Sequence, residues 1–344
     1  VDAARRLALP TTTHLLCTIE QLANPAVLAA LAARDVGFLC CDEAHCAWTW
    51  AGIKADAYRR VASFRQRVGW PPLLLLSATA PPSTALAVSK IVGSYHVNQL
   101  SKALTIRVPP NRPNVSINIT KTTRPGASHG TVLEPRELPT LLLNTIQGLK
   151  AAALEGGDRL ATYPRVIVFC SSQASAVQFF NCAVCIIGGG VLPGNLLKTF
   201  TLYTGSTDTA QRDAILLRVH RPRSRLRMVI ATSAFGMGVN IPNVDAVYHW
   251  GVPPTLADFA QEGGRAGRDG RLAEHHVFFC GRDLGKRPEE VKAFFNSTAC
   301  LRRQLLCHLH GCPDTALAFP SSRMTPHAVQ TAAAPLTQTP DVSA

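Results

Sequence analysis

The stretch Val36-Gly37-Phe38-Leu39-Cys40-Cys41-Asp42-Glu43-Ala44-His45 constrains the fold more than any other. An apolar run short enough for one strand ends abruptly in two adjacent carboxylates. A continuous apolar run reads as a parallel strand buried on both faces, and chemistry in open α/β sheets gathers just beyond strand C-terminal ends. An Asp-Glu pair placed there can divide labour: one carboxylate holds Mg²⁺ on a nucleotide's phosphates, and the next aligns and deprotonates a water. A bare Asp-Glu is equally an ordinary acidic turn, so the reading depends on partners elsewhere in the chain.

Further strands of the same kind follow. Leu73 to Leu76 reads as a second buried strand leaving into Ser77-Ala78-Thr79-Ala80, and Val166 to Cys170 as a third leading to Ser171-Ser172. Met228 to Thr232 and Val244 to His249 continue the series, and His276 to Cys280 closes it. Helices are expected over Glu20 to Ala33, from an N-cap at Ser83 to Val92, over Leu138 to Leu154, from Ser172 to Phe180, around Arg212, and over Thr298 to Leu309. Thr11 to Thr18 reads as a short strand. The segments 46–58, 120–136 and 182–194 read as irregular, the last because of Gly188 to Gly190. In 46–58, Trp48, Trp50 and Tyr58 either stack on nucleic-acid bases or pack beneath the loop. The proline-rich segment 108–114 reads as a linker, and the Pro, Thr, Ala and Ser composition beyond residue 313 reads as disordered.

Alternation of strands and helices over 344 residues suits two α/β domains. With 35 Lys and Arg against 22 Asp and Glu, the net charge of +13 suits a polyanionic partner such as nucleic acid. Eleven scattered Cys argue against a disulfide framework and for a reducing compartment. No apolar run approaches the roughly 20 residues of a membrane span.

Gln261-Glu262-Gly263-Gly264-Arg265-Ala266-Gly267-Arg268-Asp269-Gly270 supplies the partner that the carboxylates need. Two arginines three apart, read here at a glycine-rich helix start, offer planar forks for phosphate and fixed charge for a transition state.

Together these stretches resemble the RecQ family of superfamily 2 helicases. Asp42-Glu43-Ala44-His45 resembles motif II, Ser77-Ala78-Thr79 motif III, Asn111-Arg112-Pro113-Asn114 the opening of the second domain, Ala231 to Pro242 motif V, and Gln261 to Gly270 motif VI. Cys300-Leu301-Arg302-Arg303 resembles the start of a zinc-binding subdomain. DEAH-box RNA helicases share the Asp-Glu-Ala-His but differ in motif V. The resemblance implies two RecA-like parallel-sheet domains, the first incomplete, with a short helical remnant of the zinc-binding subdomain. Boundaries follow at 1–108, 109–283, 284–312 and a tail at 313–344.

The resemblance also implies a 3′–5′ DNA helicase driven by ATP and Mg²⁺, acting on single-stranded and branched DNA in the nucleus. Asp42 would bind Mg²⁺ through water and Glu43 would be the general base. Arg265 and Arg268 would reach the terminal phosphate. Gly238, Asn240 and Gln261 would line the nucleotide, and His45, Ser77 and Thr79 would couple it to nucleic acid. Trp50, Tyr58, Arg112, Ser171 and Thr232 would touch the nucleic acid.

Three departures stand out. No Gly-x-x-x-x-Gly-Lys-Ser/Thr occurs in the chain, so the phosphate loop and the adenine-reading segment are expected upstream of Val1, which is not an initiator Met. Gly52, Lys54 and Ala55 stand where the family has His, Phe and Arg. Cys307, His308, His310 and Cys312 are too closely spaced for the family's zinc site, so zinc is not expected.

Overall fold

The computed structural model describes residues 11–49, 55–92, 104–108, 110–122, 132–188, 198–221, 224–235 and 241–311. Its strands are β1 (Leu39–Cys41), β2 (Leu73–Leu75), β3 (Val115–Lys121), β4 (Val166–Cys170), β5 (Phe200–Tyr203), β6 (Met228–Ala231), β7 (Ala246–Trp250) and β8 (Ala273–Phe279). The helices are α1 (Pro25–Ala32), α2 (Cys46–Thr49), α3 (Ala55–Arg67), α4 (Pro82–Ile91), α5 (Thr140–Glu155), α6 (Gly157–Thr162), α7 (Gln173–Gly188), α8 (Thr209–His220), α9 (Leu256–Gly263), α10 (Gly281–Leu284), α11 (Glu289–Phe295) and α12 (Leu301–His310).

β4 is apolar at every position and therefore needs cover on both faces. It lies inside a six-stranded parallel sheet of order β3-β8-β7-β4-β6-β5. Val166, Val168 and Cys170 face α5 and α7 together with Ile146, Leu149 and Phe179. Ile167 and Phe169 face the opposite layer with Ile215, Val219 and Phe235. A third cluster joins β8 to α9, α11 and α12 through Phe259, Phe279, Phe294 and Leu309. This is the α/β layering expected from the alternation of strands and helices.

Local signals place the helix starts. Asp208 caps α8 by accepting the Gln211 N–H at 2.9 Å. Thr255 caps α9 by accepting the Asp258 N–H at 3.0 Å. Asp208→Ala is expected to cost about 1 kcal/mol, measured as a lower urea midpoint with an unchanged m value.

The smaller lobe corrects several expectations. β1 and β2 form a parallel pair, but they are not buried on both faces. Leu39, Cys41, Leu73 and Leu75 turn toward the helices. Phe38 (56% exposed), Cys40, Leu74 (41%) and Leu76 lie on the other face, which the described residues leave open. Thr12 to Thr18 is extended coil with no ladder. The helix expected over 20–33 is split by Pro25 into a 3₁₀ turn (Ile19–Ala23) and α1, capped by Asn24. α4 starts at Pro82 with Pro81 as N-cap, one residue ahead of the expected Ser83. Segment 46–58 is not irregular throughout, since α2 and α3 occupy 46–49 and 55–67.

In the larger lobe, β3 fills the gap between the segment read as linker (108–114) and the polar insertion, taking Thr120 and Lys121 from the latter, and it pairs with β8 over seven residues. β8 accordingly sits inside the sheet, and β3 is the edge. α7 runs on to Gly188, through Cys182 and Ile187, which pack in the core. The tail beyond 313 lies outside the described residues. Among those residues no helix is long and apolar enough to cross a membrane.

Candidate nucleotide and nucleic-acid site

β1 delivers the carboxylates into a tight turn. Glu43 has φ +49, a left-handed backbone costing a non-glycine residue roughly 1–2 kcal/mol. The turn is held by the Glu43 N–H donating to Asp42 Oδ1 at 2.8 Å and by the Ala44 N–H donating to the Leu76 carbonyl at 2.9 Å. Asp42 remains exposed, with lone pairs free for a hydrated divalent cation.

His45 is buried beneath this turn. The Ser77 hydroxyl lies 2.9 Å from its Nδ1, and Glu43 Oε2 lies 3.4 Å from the same nitrogen. Burial lowers the His45 pKa, opposed by the Glu43, Asp258 and Asp42 carboxylates. Thr79 is also buried, and its N–H donates to Ser77 Oγ at 3.3 Å. The structure thus brings His45, Ser77 and Thr79 into one polar relay behind Glu43.

The second lobe meets the turn through Gln261, whose Nε2 donates to Glu43 Oε1 at 3.3 Å. Gln261 lies near the end of α9, so the expected helix start at the arginines is a helix end. Arg265 and Arg268 follow in the turn that leaves it. Arg265 is 2% exposed. Burial, then Arg268, lower its pKa to about 10, against the pull of Glu262 and Glu43, so it stays charged at neutral pH. Glu43, Thr79, Gln261, Arg265 and Arg268 line one cavity of about 420 Å³, floored by Leu305, Leu306 and Leu309 of α12.

That cavity suits the terminal phosphate and metal of a nucleoside triphosphate. An exposed carboxylate and a base-competent neighbour stand at a strand end, opposite two guanidinium groups. The glycine-rich loop and lysine that would grip the remaining phosphates are not among the 344 residues.

The nucleic-acid candidates separate. Ser171 and Thr232 sit just past the C-terminal ends of β4 and β6. The arginine turn lies at the other edge of the sheet, where the Gly267 N–H donates to the Val244 carbonyl ahead of β7. Five strand residues span roughly 17 Å, so the two groups lie at opposite edges.

Two candidates change role. Tyr58 is 6% exposed on the inward face of α3, in a cluster with Val61 and Phe64, and its ring has no face to offer a base. Arg112 does not point to solvent for a nucleic acid. Its guanidinium donates to the carbonyls of Gly264 (3.1 Å), Ala266 (3.0 Å) and Gly267 (2.7 Å), holding the arginine turn. Trp50, Gly238 and Asn240 lie outside the described residues. Among those residues no group of three His, Cys, Asp or Glu is placed to hold a metal.

The sequence reading does not single out the buried polar cluster under the turn. His249 Nδ1 lies 3.4 Å from Glu262 Oε2, and the His249 and His275 rings are 5.0 Å apart. Burial pushes Glu262 up to about 8 and His249 down to about 3. His275 falls well below its ordinary value for the same reason. The period-2 pattern of β8 (Ala273-Glu274-His275-His276-Val277) carries the signal, since it turns His275 inward with Ala273 and Val277.

The fold is that of the RecA-like helicase domains. Residues 150–270 match the helicase conserved C-terminal domain. The fold is shared with S. cerevisiae Dbp5 bound to RNA and ADP BeF3 (TM-score 0.53, 17% identity, 82% of this chain and 62% of that one). It is shared also with Mycobacterium smegmatis helicase Lhr bound to ssDNA and AMP-PNP (TM-score 0.51, 19% identity, 85% and 38%).

Within that fold class the chain resembles RecQ-type helicases. It is 29% identical over 305 residues to mouse ATP-dependent DNA helicase Q4, covering 86% of this chain and 22% of the relative. It is 27% identical over 253 residues to the probable ATP-dependent DNA helicase RecS of Bacillus subtilis, covering 73% and 43%. The chain therefore spans less than half the length of these relatives.

Proposed function

We propose that this chain is the motor portion of a RecQ-type ATP-dependent DNA helicase that moves 3′ to 5′ and serves nuclear recombination and repair. The observation carrying this reading is the Gln261–Glu43 hydrogen bond across the two lobes, beside a cavity that also holds Arg265 and Arg268. ATP with Mg²⁺, when bound, supplies the phosphoanhydride. Asp42 holds the hydrated cation, Glu43 orients a water and takes its proton, and Arg265 and Arg268 neutralise charge on the terminal phosphate. Gly238 and Asn240 complete the nucleotide side. His45, Ser77 and Thr79 carry the state of Glu43 toward the nucleic-acid side. Ser171 and Thr232 grip the backbone of a single strand or branched DNA, and Trp50 stacks on a base. The chain divides at residues 108, 283 and 312.

A second reading, a DNA-binding scaffold that keeps the fold without turnover, is favoured by Gly52, Lys54 and Ala55, which stand where the family has His, Phe and Arg. Because no phosphate loop occurs in these 344 residues, the isolated chain is expected to bind ATP weakly and to turn it over slowly. Glu43→Gln separates the readings. In an enzyme it lowers hydrolysis by roughly 10²-fold or more and leaves DNA affinity intact; in a scaffold nothing changes. In both, DNA affinity falls with salt at a log–log slope of about −0.7 per phosphate contacted. A flat salt profile would rule out backbone-dominated binding.

A further inference from the structure

Arg302, in the first turn of α12, reaches back 190 residues to the segment that precedes β3. Its Nη1 donates to the Arg112 carbonyl at 2.5 Å and lies 3.4 Å from Asn111 Oδ1, and its Nη2 donates to the Val115 carbonyl. Arg112 in turn grips the three carbonyls of Gly264, Ala266 and Gly267. Asn114 Nδ2 adds Gly267 and Arg271, each at 2.8 Å. Gly264 is the C-cap of α9, and Ala266 and Gly267 lie in the turn beyond it, past the reach of the helix's own N–H groups. A planar guanidinium carries five donors in a fixed fork, so one arginine can clamp three carbonyls where a lysine ammonium cannot hold the same geometry.

The other end of α12 touches the smaller lobe. Arg107 Nη1 donates both to Ala80, which ends the Ser77-Ala78-Thr79 exit, at 3.1 Å and to the Leu309 carbonyl at 3.5 Å. Gly311, with φ +72, lies so near Pro82 that an added Cβ would stand 2.3 Å from its Cγ.

We propose that Arg302 and Arg112 are positioning residues for Arg265 and Arg268, so that α12 sets the aim of both arginines by way of the 111–115 segment. The proposal rests on reading Arg265 and Arg268 as the pair that faces a terminal phosphate. It assigns to α12 a task that needs no metal: contact with the smaller lobe at one end is transmitted to the arginine turn at the other. A helix anchored at both ends links lobe geometry to the charge that completes the site.

Hydrogen exchange read by mass spectrometry on the 344-residue chain tests this in the unmodified protein and in Arg302→Ala, Arg302→Lys and Arg112→Ala. Amides in 264–271 are expected to exchange roughly tenfold faster in all three variants, with β4 and β6 unchanged. Failure of Arg302→Lys to restore protection marks the fork, not the charge, as the requirement. Unaltered exchange in the turn, or an equal rise throughout the sheet, overturns the proposal. Should Arg112→Ala fail to fold, the two Arg302 variants carry the test.

ATP turnover of the same proteins is then compared. kcat is expected to fall roughly tenfold with KM within about twofold, because misaimed arginines cost the transition state more than binding. A loosened turn with unchanged kcat overturns the proposal. If the unmodified chain turns over no ATP, as the missing phosphate loop leads one to expect, hydrogen exchange in the turn alone decides the positioning relay.

Discussion

Gly263→Ala is expected to lower the unfolding free energy by about 3 kcal/mol, at the upper end of overpacking costs. Gly263 is the last residue of α9, and in an exposed helix interior the same change would gain about 1 kcal/mol from propensity. Geometry reverses the sign. A Cβ there would stand 2.1 Å from Cε1 and Nδ1 of His275. The ring has little freedom to retreat: Phe259 stacks on it at 4.2 Å and His249 lies at 5.0 Å, all three nearly fully buried. Gly37→Ala is the control, since nothing lies within 4 Å of the position its Cβ would take. Urea denaturation of both variants reads the difference. A loss below about 1 kcal/mol for Gly263→Ala would mean that the α9–β8 packing yields, contrary to native packing density.

Stability is expected to peak near pH 7 and to fall on both sides, more steeply toward acid. Burial holds His249 at about 3, His276 at about 4 and His275 well below its ordinary value. As pH falls through 6.5, the unfolded chain takes up protons on these imidazoles that the folded chain refuses, and stability drops. Glu262 acts in the opposite sense. With its folded pKa raised to about 8, the folded state holds a proton that the unfolded state has already released, so its contribution is lost as pH rises toward 8. Near pH 5.5 the three histidines outweigh the one carboxyl, and the net slope is about 2–3 kcal/mol per pH unit. Between about pH 7 and 8 Glu262 outweighs the last protonation of the unfolded imidazoles, and the net slope is on the order of 0.5 kcal/mol per unit in the other direction. Glu262→Gln flattens the alkaline side and leaves the acid side steep. A bell that keeps both slopes in that variant would assign the alkaline fall to another group.

The parts of the fold legible in the sequence are those where a strand is buried on both faces. β4, β6 and β7 are continuous apolar runs and stand where their sequences indicate. β3 was hidden because it is an edge strand: Val115-Ser116-Ile117-Asn118-Ile119-Thr120-Lys121 buries its alternate apolar residues and exposes the polar ones, so it reads as polar. Its alternation and β-branched residues were the available signal. The apolar runs at β1 and β2 misled in the other direction, because they pack on one face alone among the described residues.

At the site, the carboxylate turn and the two arginines were legible because their chemistry demands particular residue types at short spacing. The role of Arg112 was not. A guanidinium suits a phosphate and a row of carbonyls equally well, and only the fold shows that the C-cap of α9 and the turn beyond it supply the carbonyls.

The single hydrogen bond between Gln261 and Glu43 has a mechanical consequence. At 3.3 Å, an amide donating to a partly exposed carboxylate contributes on the order of 1–2 kcal/mol, only a few times thermal energy. That bond alone does not hold the lobes, which also meet through Arg107 and where Gly311 lies against Pro82. Whatever occupies the cleft need discriminate only modestly to make or break the Gln261–Glu43 bond. A tighter bond would resist any parting of the lobes, and the weak one does not.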